Sequence, residues 1–102
     1  MEYNVNEIIE NNVVWLCEEI NEGRYEGEAI GMAGYFLEDD FGGTIYKTDG
    51  VYERFFEEVK RAVPWYDFTM DFDFIDQGNG LDRQKLIYVR HNGEIVWERW
   101  SF

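Results

Sequence analysis

The stretch from Tyr66 to Phe74 constrains the fold more than any other part of this chain, because large apolar side chains occupy every second position without interruption. Polar residues, three of them aspartates, fill the positions between. Successive side chains of a β-strand point to opposite faces, so the alternation predicts a strand with one buried face and one acidic face. Same-face residues of a strand lie roughly 7 Å apart, so these aspartates would form a stripe: Asp67, Asp71 and Asp73.

A β-hairpin is predicted near the C-terminal end. The dipeptide Asn92-Gly93 is a strong two-residue hairpin signal, and it separates two runs rich in apolar residues. We therefore expect strands over Lys85–His91 and Glu94–Trp100. With this loop, one face of the hairpin would carry three cross-strand pairs: Tyr88–Trp97, Arg90–Ile95 and Leu86–Arg99.

Two amphipathic helices are predicted from apolar residues that recur every three or four positions. The first would begin at Asn4, which forms a capping box with Glu7, and would end at Gly23. The second would run from Val51 to Val63, before a proline, with Asp49 as its N-cap.

Residues 24–47 permit two interpretations. We expect a strand between Ala29 and Leu37, a turn over residues 38–43 and a short strand over Thr44–Lys47. A helix across 28–37 is the competing interpretation, which three glycines between positions 27 and 34 disfavour by about 1 kcal/mol each. Residues 1–102 are then expected to form a single α+β domain, with two helices packed on one face of a mostly antiparallel sheet in the order α-β-β-α-β-β-β.

The negative charge of the chain is large and unevenly distributed. Twenty-two acidic and nine basic residues give a net charge of −13, which repels nucleic acid and anionic membranes and attracts proteins with basic surfaces. Residues 1–23 carry −6, residues 24–50 and 65–80 carry −4 each, residues 51–64 are neutral and residues 81–102 carry +1. If the acidic residues served solubility alone, we would expect them to be distributed evenly along the chain. The clustering therefore predicts a recognition surface for a partner protein with a basic surface.

Candidate partner-binding residues follow from these patterns. They combine the acidic strand face, the acidic run at the expected turn and one aromatic anchor from the hairpin, since central aromatic residues usually carry more binding energy than rim charges. The predicted set is Glu38, Asp39, Asp40, Asp67, Asp71, Asp73 and Trp97. Two alternatives stay open: Trp97 belongs equally well in the core, and basic residues of a neighbouring strand could pair with the strand aspartates.

Residue types that carry catalysis are scarce. The chain has one histidine (His91), one cysteine (Cys17) and one serine (Ser101), too few for a nucleophilic triad or the usual zinc ligands. A calcium loop starting at Asp76 would need a bidentate acid where Ile87 stands. We therefore expect no enzymatic activity, no metal and no cofactor. A lone cysteine, the lack of a signal-peptide pattern and the lack of a long apolar run predict a cytoplasmic protein.

Four segments, which cover about half the chain, carry a resemblance to a known class of proteins. They are the acidic first helix, VYERFFEEVKRAVPW, YDFTMDFDF and RQKLIYVRHNGEIVWERW. Together they resemble the small acidic immunity proteins, or antitoxins, of bacterial polymorphic-toxin and contact-dependent inhibition systems. The resemblance implies a tight inhibitor of a cognate toxin, often a nuclease whose basic cleft the acidic face covers. Two other interpretations remain: a phage or mobile-element DNA mimic that inhibits DNA-binding defence enzymes, and an adaptor that binds through Trp97, Tyr88 and Trp100.

Overall fold

The computed structural model describes residues 4–24, 27–76, 78 and 81–99, and within them three α-helices precede a three-stranded antiparallel sheet. This arrangement belongs to the α+β class, as predicted. The helices are α1 (Val5–Glu22), α2 (Glu28–Asp40) and α3 (Val51–Ala62), with a 3₁₀ turn (Lys47–Asp49) before α3. The strands are β1 (Phe68–Asp76), β2 (Asp82–His91) and β3 (Glu94–Glu98), in the sheet order β1-β2-β3.

Helix α1 begins and ends where its caps predict. The backbone N–H of Glu7 donates to Asn4 Oδ1 over 3.1 Å, which satisfies one of the free donors of the first turn. Gly23 takes a left-handed φ of 71° and closes the helix. The predicted apolar stripe is buried at Ile9 and Leu16. The local sequence is therefore sufficient to define this element.

The segment expected to form a strand over 29–37 is instead part of helix α2, so that prediction was wrong. Two glycines of this helix lie where it approaches the sheet. A Cβ at Gly31 would lie 2.2 Å from the Trp97 ring, and a Cβ at Gly34 would lie 2.7 Å from the Leu86 side chain. Tertiary packing therefore requires the very glycines that weaken the helix signal in the sequence. The other buried apolar residues recur at helical spacing: Ala29, Ile30, Ala33 and Leu37.

The segment between α2 and α3 is less regular than expected. The predicted turn over 38–43 begins later, because residues 38–40 form the last turn of α2. The expected strand Thr44–Lys47 is reduced to an isolated bridge between Tyr46 and Arg83. One further backbone hydrogen bond, from Gln84 N–H to the Ile45 carbonyl over 2.7 Å, fixes this segment to β2.

Helix α3 has the predicted extent but a different N-terminal cap. Gly50, with a φ of 66°, occupies the N-cap position and makes no side-chain capping bond, so the prediction of Asp49 as N-cap was wrong. Asp49 lies one residue earlier, in the 3₁₀ turn. The apolar stripe of α3 is buried at Val51, Phe55 and Val59.

Strand β1 pairs with β2 from Phe68–His91 to Asp76–Asp82. Its apolar face is buried at Phe68 and half-buried at Phe72, whereas Phe74 is 41% exposed. The expected alternation is therefore clear at Phe68 and Thr69, whereas Met70, Asp71 and Phe72 are all half-buried.

The hairpin pairs Arg90 with Ile95 as predicted, but a bulge follows and shifts the rest of the register by one residue. Trp97 consequently lies opposite Val89, so the predicted Tyr88–Trp97 pair was wrong. A one-residue shift moves a side chain to the other face of a strand. Trp97 therefore points to the same side as the buried Val89. Trp100, the predicted end of the second hairpin strand, lies outside the described residues.

Contacts between the elements connect the three helices with one another and with the sheet. Helix α1 packs on both other helices, and α2 packs on β2 and β3. Helix α3 reaches β1 through two aromatic contacts, Tyr52–Phe72 and Phe56–Phe68, whose ring centroids are 4.9 and 5.1 Å apart. The sheet is thus contacted by α2 and α3, and α1 packs on these two helices.

Candidate functional site

Of the three aspartates predicted to form a binding stripe, one is paired with a basic residue of β2 and the other two are exposed. Asp71 forms an ion pair with Arg90, with 3.3 Å between the carboxylate oxygen and the guanidinium nitrogen. Asp73 lies opposite Lys85 in the strand register, while Asp67 is exposed ahead of β1. Directly opposite residues of antiparallel strands are close enough to interact. The ammonium group of Lys85, however, lies 3.3 Å from the buried carboxylate of Glu38, so among the described residues Asp71 alone of the three aspartates has an ion pair within the protein.

Glu38, also predicted to bind a partner, is only 4% exposed and lies inside the fold. Its carboxylate accepts hydrogen bonds from Arg99 over 2.7 Å, from Lys85 over 3.3 Å and from the Tyr52 hydroxyl. A buried charge is stable only when it is paired and hydrogen-bonded, and Glu38 meets both conditions. Its charge is therefore used within the protein. The expected turn at 38–43 had suggested an exposed position, but the last turn of α2 directs Glu38 towards the sheet.

The buried polar cluster around Glu38 also affects its tyrosine. Burial, and next the negative charge of Glu38, raise the pKa of Tyr52 well above its usual value. The hydroxyl consequently stays protonated and can continue to donate to Glu38. This cluster joins α2, α3, β2 and the residue that follows β3, so it holds the two halves of the chain together.

Asp39 and Asp40, the next predicted residues, are both exposed in the last turn of α2. Asp40 accepts a hydrogen bond over 3.0 Å from the side-chain amide of Asn12, which is buried on α1. This contact places the C-terminal end of α2 beside α1. Asp39 and Asp40 therefore belong to a surface that α1 and α2 share, away from the aspartates of β1.

Trp97, the predicted aromatic anchor, is half-buried and packs against α2. Its ring lies over Gly31 and meets Tyr35 edge-on, with 5.4 Å between the ring centroids. Trp97 thus fills the gap between β3 and α2, which agrees with the core alternative considered for it.

Helices α1 and α2 contain no lysine or arginine. Two of their nine carboxylates are buried and paired within the protein: Glu38, and Glu19, whose two oxygens accept from Arg24 over 2.6 and 2.7 Å. Among the described residues, Glu22 alone of the remaining seven forms an ion pair, also with Arg24. These seven exposed carboxylates define the helical acidic face: Glu7, Glu10, Glu18, Glu22, Glu28, Asp39 and Asp40.

Helical geometry brings the four carboxylates of α1 together. Each residue of an α-helix advances by about 100°, so these four fall within an arc of about 120°. The opposite side of α1 carries Ile9, Leu16 and Ile20, which are buried. The carboxylates therefore share one solvent-facing side of α1: Glu7, Glu10, Glu18 and Glu22.

An aromatic pair lies at the junction of α1 and α2. Trp15 and Phe36 meet edge-on with their ring centroids 5.1 Å apart, and Phe36 is 42% exposed. Glu18 is three residues from Trp15 and Asp39 is three residues from Phe36, so both lie on the adjacent helical turn. The helical acidic face thus has partly exposed apolar surface next to two of its carboxylates.

The sequence contained a signal for this face that the prediction used only in part. The absence of bases from the first helix was visible, and the run from Glu28 to Asp40 also lacks them. Reading residues 29–37 as a strand separated Phe36 from Trp15 and hid their contact. The aromatic pair could be found only once α2 was recognised as a helix packed on α1.

Comparison of the chain with protein-family models, with curated proteins and with solved structures found no match. In the described part of the chain, no three side chains of His, Cys, Asp or Glu are placed to share a metal ion. No helix within the described ranges has the length and apolar character needed to cross a membrane.

Proposed function

We propose that this chain is a non-catalytic binding protein that inhibits a partner by covering its basic surface, as an immunity protein neutralises a toxin. The observation that carries the proposal is the helical acidic face, where seven exposed carboxylates lie on two helices without a single base and an aromatic pair joins these helices. A toxic nuclease is the class of partner that suits it best, because a nuclease needs a basic cleft to bind its substrate.

The contrast between the helices and the sheet supports this choice of surface. Asp71 of strand β1 is paired with Arg90 of β2, so this part of the sheet carries charges of both signs, whereas α1 and α2 carry negative side chains only. A single-sign surface steers an oppositely charged partner towards it and speeds association. The proposal also includes that the helices cover one face of the sheet. The inner sides of α2 and α3 then contribute to the core.

The location of the protein is part of the same proposal. One free cysteine suits a reducing compartment, and burial raises the pKa of the Cys17 thiol, which makes it less reactive. We place the protein in the cytoplasm, where a nuclease toxin would act.

The test begins with affinity capture from the native host and continues with the activity of the captured protein. That protein should be toxic or nucleolytic when produced alone, and one equivalent of the present chain should abolish its activity. A captured partner with unchanged activity in the complex would refute the inhibitor proposal.

Mimicry of DNA is the alternative that the same acidic face permits. A mimic would inhibit several unrelated DNA-binding proteins, and added salt would weaken every complex steeply. An immunity protein would leave such a panel unaffected and would keep its partner at moderate salt, because the aromatic pair adds contacts that salt does not screen. Inhibition across the panel would therefore favour the mimic.

A further inference from the structure

A groove between α3 and β1 forms a second surface, distinct from the helical acidic face. It has a volume of about 370 Å³, and its floor consists of the half-buried side chains of Phe56, Met70 and Phe72. Glu53 and Glu57 of α3 line it as well, and no basic residue does among those the structure describes. Glu53 Oε1 accepts a hydrogen bond over 3.0 Å from the side-chain amide of the buried Gln84, which leaves its second oxygen for a ligand. The groove therefore combines an apolar floor with a negative rim.

The strand beside this groove is an outer strand. Within the described ranges, β2 pairs with one side of β1 and no strand pairs with the other. Such an edge offers backbone N–H and C=O groups that an extended segment of another protein can pair with. Every second side chain of an added strand would then point towards α3 and lie over the groove.

The spacing of the two glutamates matches the repeat of such a strand. Glu53 and Glu57 are four residues apart, which is about 6 Å along a helix. Side chains at positions i and i+2 of a strand are separated by roughly 7 Å. Two basic side chains at i and i+2 could therefore each reach one carboxylate while their aliphatic parts cover the apolar floor.

Within the chain itself, lysine side chains already lie over aromatic rings at both ends of β1. The ammonium group of Lys60 lies 4.4 Å from the ring centroid of Phe68, and that of Lys47 lies 4.8 Å from the ring centroid of Phe74. Cations over aromatic faces are stabilised by the ring quadrupole. The two ends of the apolar row of β1 (Phe68, Met70, Phe72 and Phe74) are thus covered by lysines, and Lys60 also lies 5.5 Å from the ring centroid of Phe56 in the groove floor. Met70 and Phe72, in the middle of the row, have two acids nearby and no lysine or arginine among the described residues that line the groove.

We propose that the groove between α3 and β1 binds an extended segment of a partner protein that carries Arg or Lys at positions i and i+2 and pairs with β1 as an additional strand. A second copy of this chain does not fit. Its one pair of bases two positions apart is Arg83 and Lys85, both on the central strand β2, and two chains of charge −13 repel each other. This surface is separate from the helical acidic face, so the two proposals stand or fall independently.

The test uses a synthetic peptide as the probe. A capped nonapeptide with Arg-Val-Arg at its centre, flanked by alternating threonine and valine, is compared with an isomer whose centre is Arg-Arg-Val. Binding is measured by calorimetry at about 0.1 M salt, where the Debye length is about 10 Å. The Arg-Val-Arg peptide should bind roughly tenfold more tightly, since only it places both bases over the groove. Equal affinities, or no binding, would overturn the proposal.

Two further comparisons separate strand addition from general attraction to an acidic protein. The double variant Glu53→Gln with Glu57→Gln should weaken peptide binding roughly tenfold, whereas the matched variant Glu94→Gln with Glu98→Gln, which loses the same charge from exposed positions of β3, should leave it within about twofold. Two N-methylated peptides test the strand pairing, one methylated at every odd-numbered backbone nitrogen and the other at every even-numbered one. Only one of them should lose binding, because only one edge of the peptide faces β1. An equal loss in both protein variants, or with both methylated peptides, would contradict the assignment.

Discussion

Glu38 and Asp39 are adjacent acidic residues with opposite roles, and the difference comes from the direction in which each side chain leaves α2. Glu38 is buried and holds Arg99, Lys85 and the Tyr52 hydroxyl, whereas Asp39 is exposed. Residue type alone could not distinguish them. The partners of Glu38 lie 14 to 61 positions away in the sequence, so its role depends on the complete fold.

Loss of Glu38 should destabilise the protein strongly. Glu38→Ala leaves the buried Arg99 guanidinium without its carboxylate, which should lower the free energy of unfolding by about 3–5 kcal/mol. Asp39→Ala, the matched control on the exposed side of the helix, should change it by less than about 0.5 kcal/mol. Urea unfolding monitored by tryptophan fluorescence measures both, and similar values for the two variants would contradict the burial of Glu38.

Tyr52 should make the protein sensitive to alkaline pH. In the unfolded chain a tyrosine ionises near pH 10, but the raised pKa of Tyr52 keeps it protonated at higher pH in the folded state. Between these two pKa values the folded state holds more protons, so the free energy of unfolding falls as pH rises above about 10, and the contribution is fully present below that pH. Tyr52→Phe should flatten this decline in denaturation curves. Tyr66→Phe, at a residue whose pKa is raised less, should retain most of it.

At the scale of elements, the sequence predicted α1, α3, β1 and the hairpin turn because their signals are local. Caps, apolar periodicity and Asn92-Gly93 act over a few residues. Helix α2 was missed because the reason for its glycines lies far along the chain, in the Trp97 ring that covers Gly31. The face of Trp97 was missed because a bulge in the hairpin changes the register without a signal of its own in the sequence. The helical acidic face was therefore recognised only in part from the sequence, because it is built from α1 and α2.

Gly31 provides a test of this packing. Alanine in place of glycine normally stabilises a helix by about 1 kcal/mol. In α2, the new Cβ would lie 2.2 Å from the Trp97 ring, so Gly31→Ala should instead lower the free energy of unfolding by about 1–3 kcal/mol. Gly34→Ala should cost less, because its nearest atom is the end of the Leu86 side chain. Higher thermal stability of Gly31→Ala would show that α2 and β3 do not pack as described.

Helices α1 and α2 should gain stability when their charge is reversed. Neither has a basic residue in its last turn, where a cation interacts favourably with the helix dipole. Asp39→Lys places a cation in the last turn of α2, and Glu18→Lys replaces the repulsion between Glu18 and Glu22 by an attraction four residues apart. Each substitution should therefore raise the free energy of unfolding by a few tenths of a kcal/mol at low salt. If the helical acidic face binds a basic partner, the same substitutions should weaken that complex. Variants that are less stable, or that bind better, would contradict the proposed use of this face.

For the whole molecule, the net charge of −13 implies self-repulsion that salt should relieve. The melting temperature should rise between about 0.01 and 0.15 M salt, as the Debye length falls from about 30 to 8 Å. The double variant Glu18→Lys with Asp39→Lys should show a smaller rise, because part of the repulsion is already removed. A melting temperature independent of salt in both proteins would mean that internal ion pairs already balance the charge.

The most direct measurement of the central claim is quantitative affinity capture from the native host with three baits. The first is the unchanged chain, the second carries Glu10→Gln, Glu18→Gln and Asp39→Asn on the helical acidic face, and the third carries Asp67→Asn, Asp73→Asn and Asp76→Asn on and beside β1. The two variants lose the same number of charges. We expect one basic protein to be retained by the unchanged chain and by the β1 variant and to be lost with the helical variant. Retention by the helical variant together with loss from the β1 variant would contradict the account.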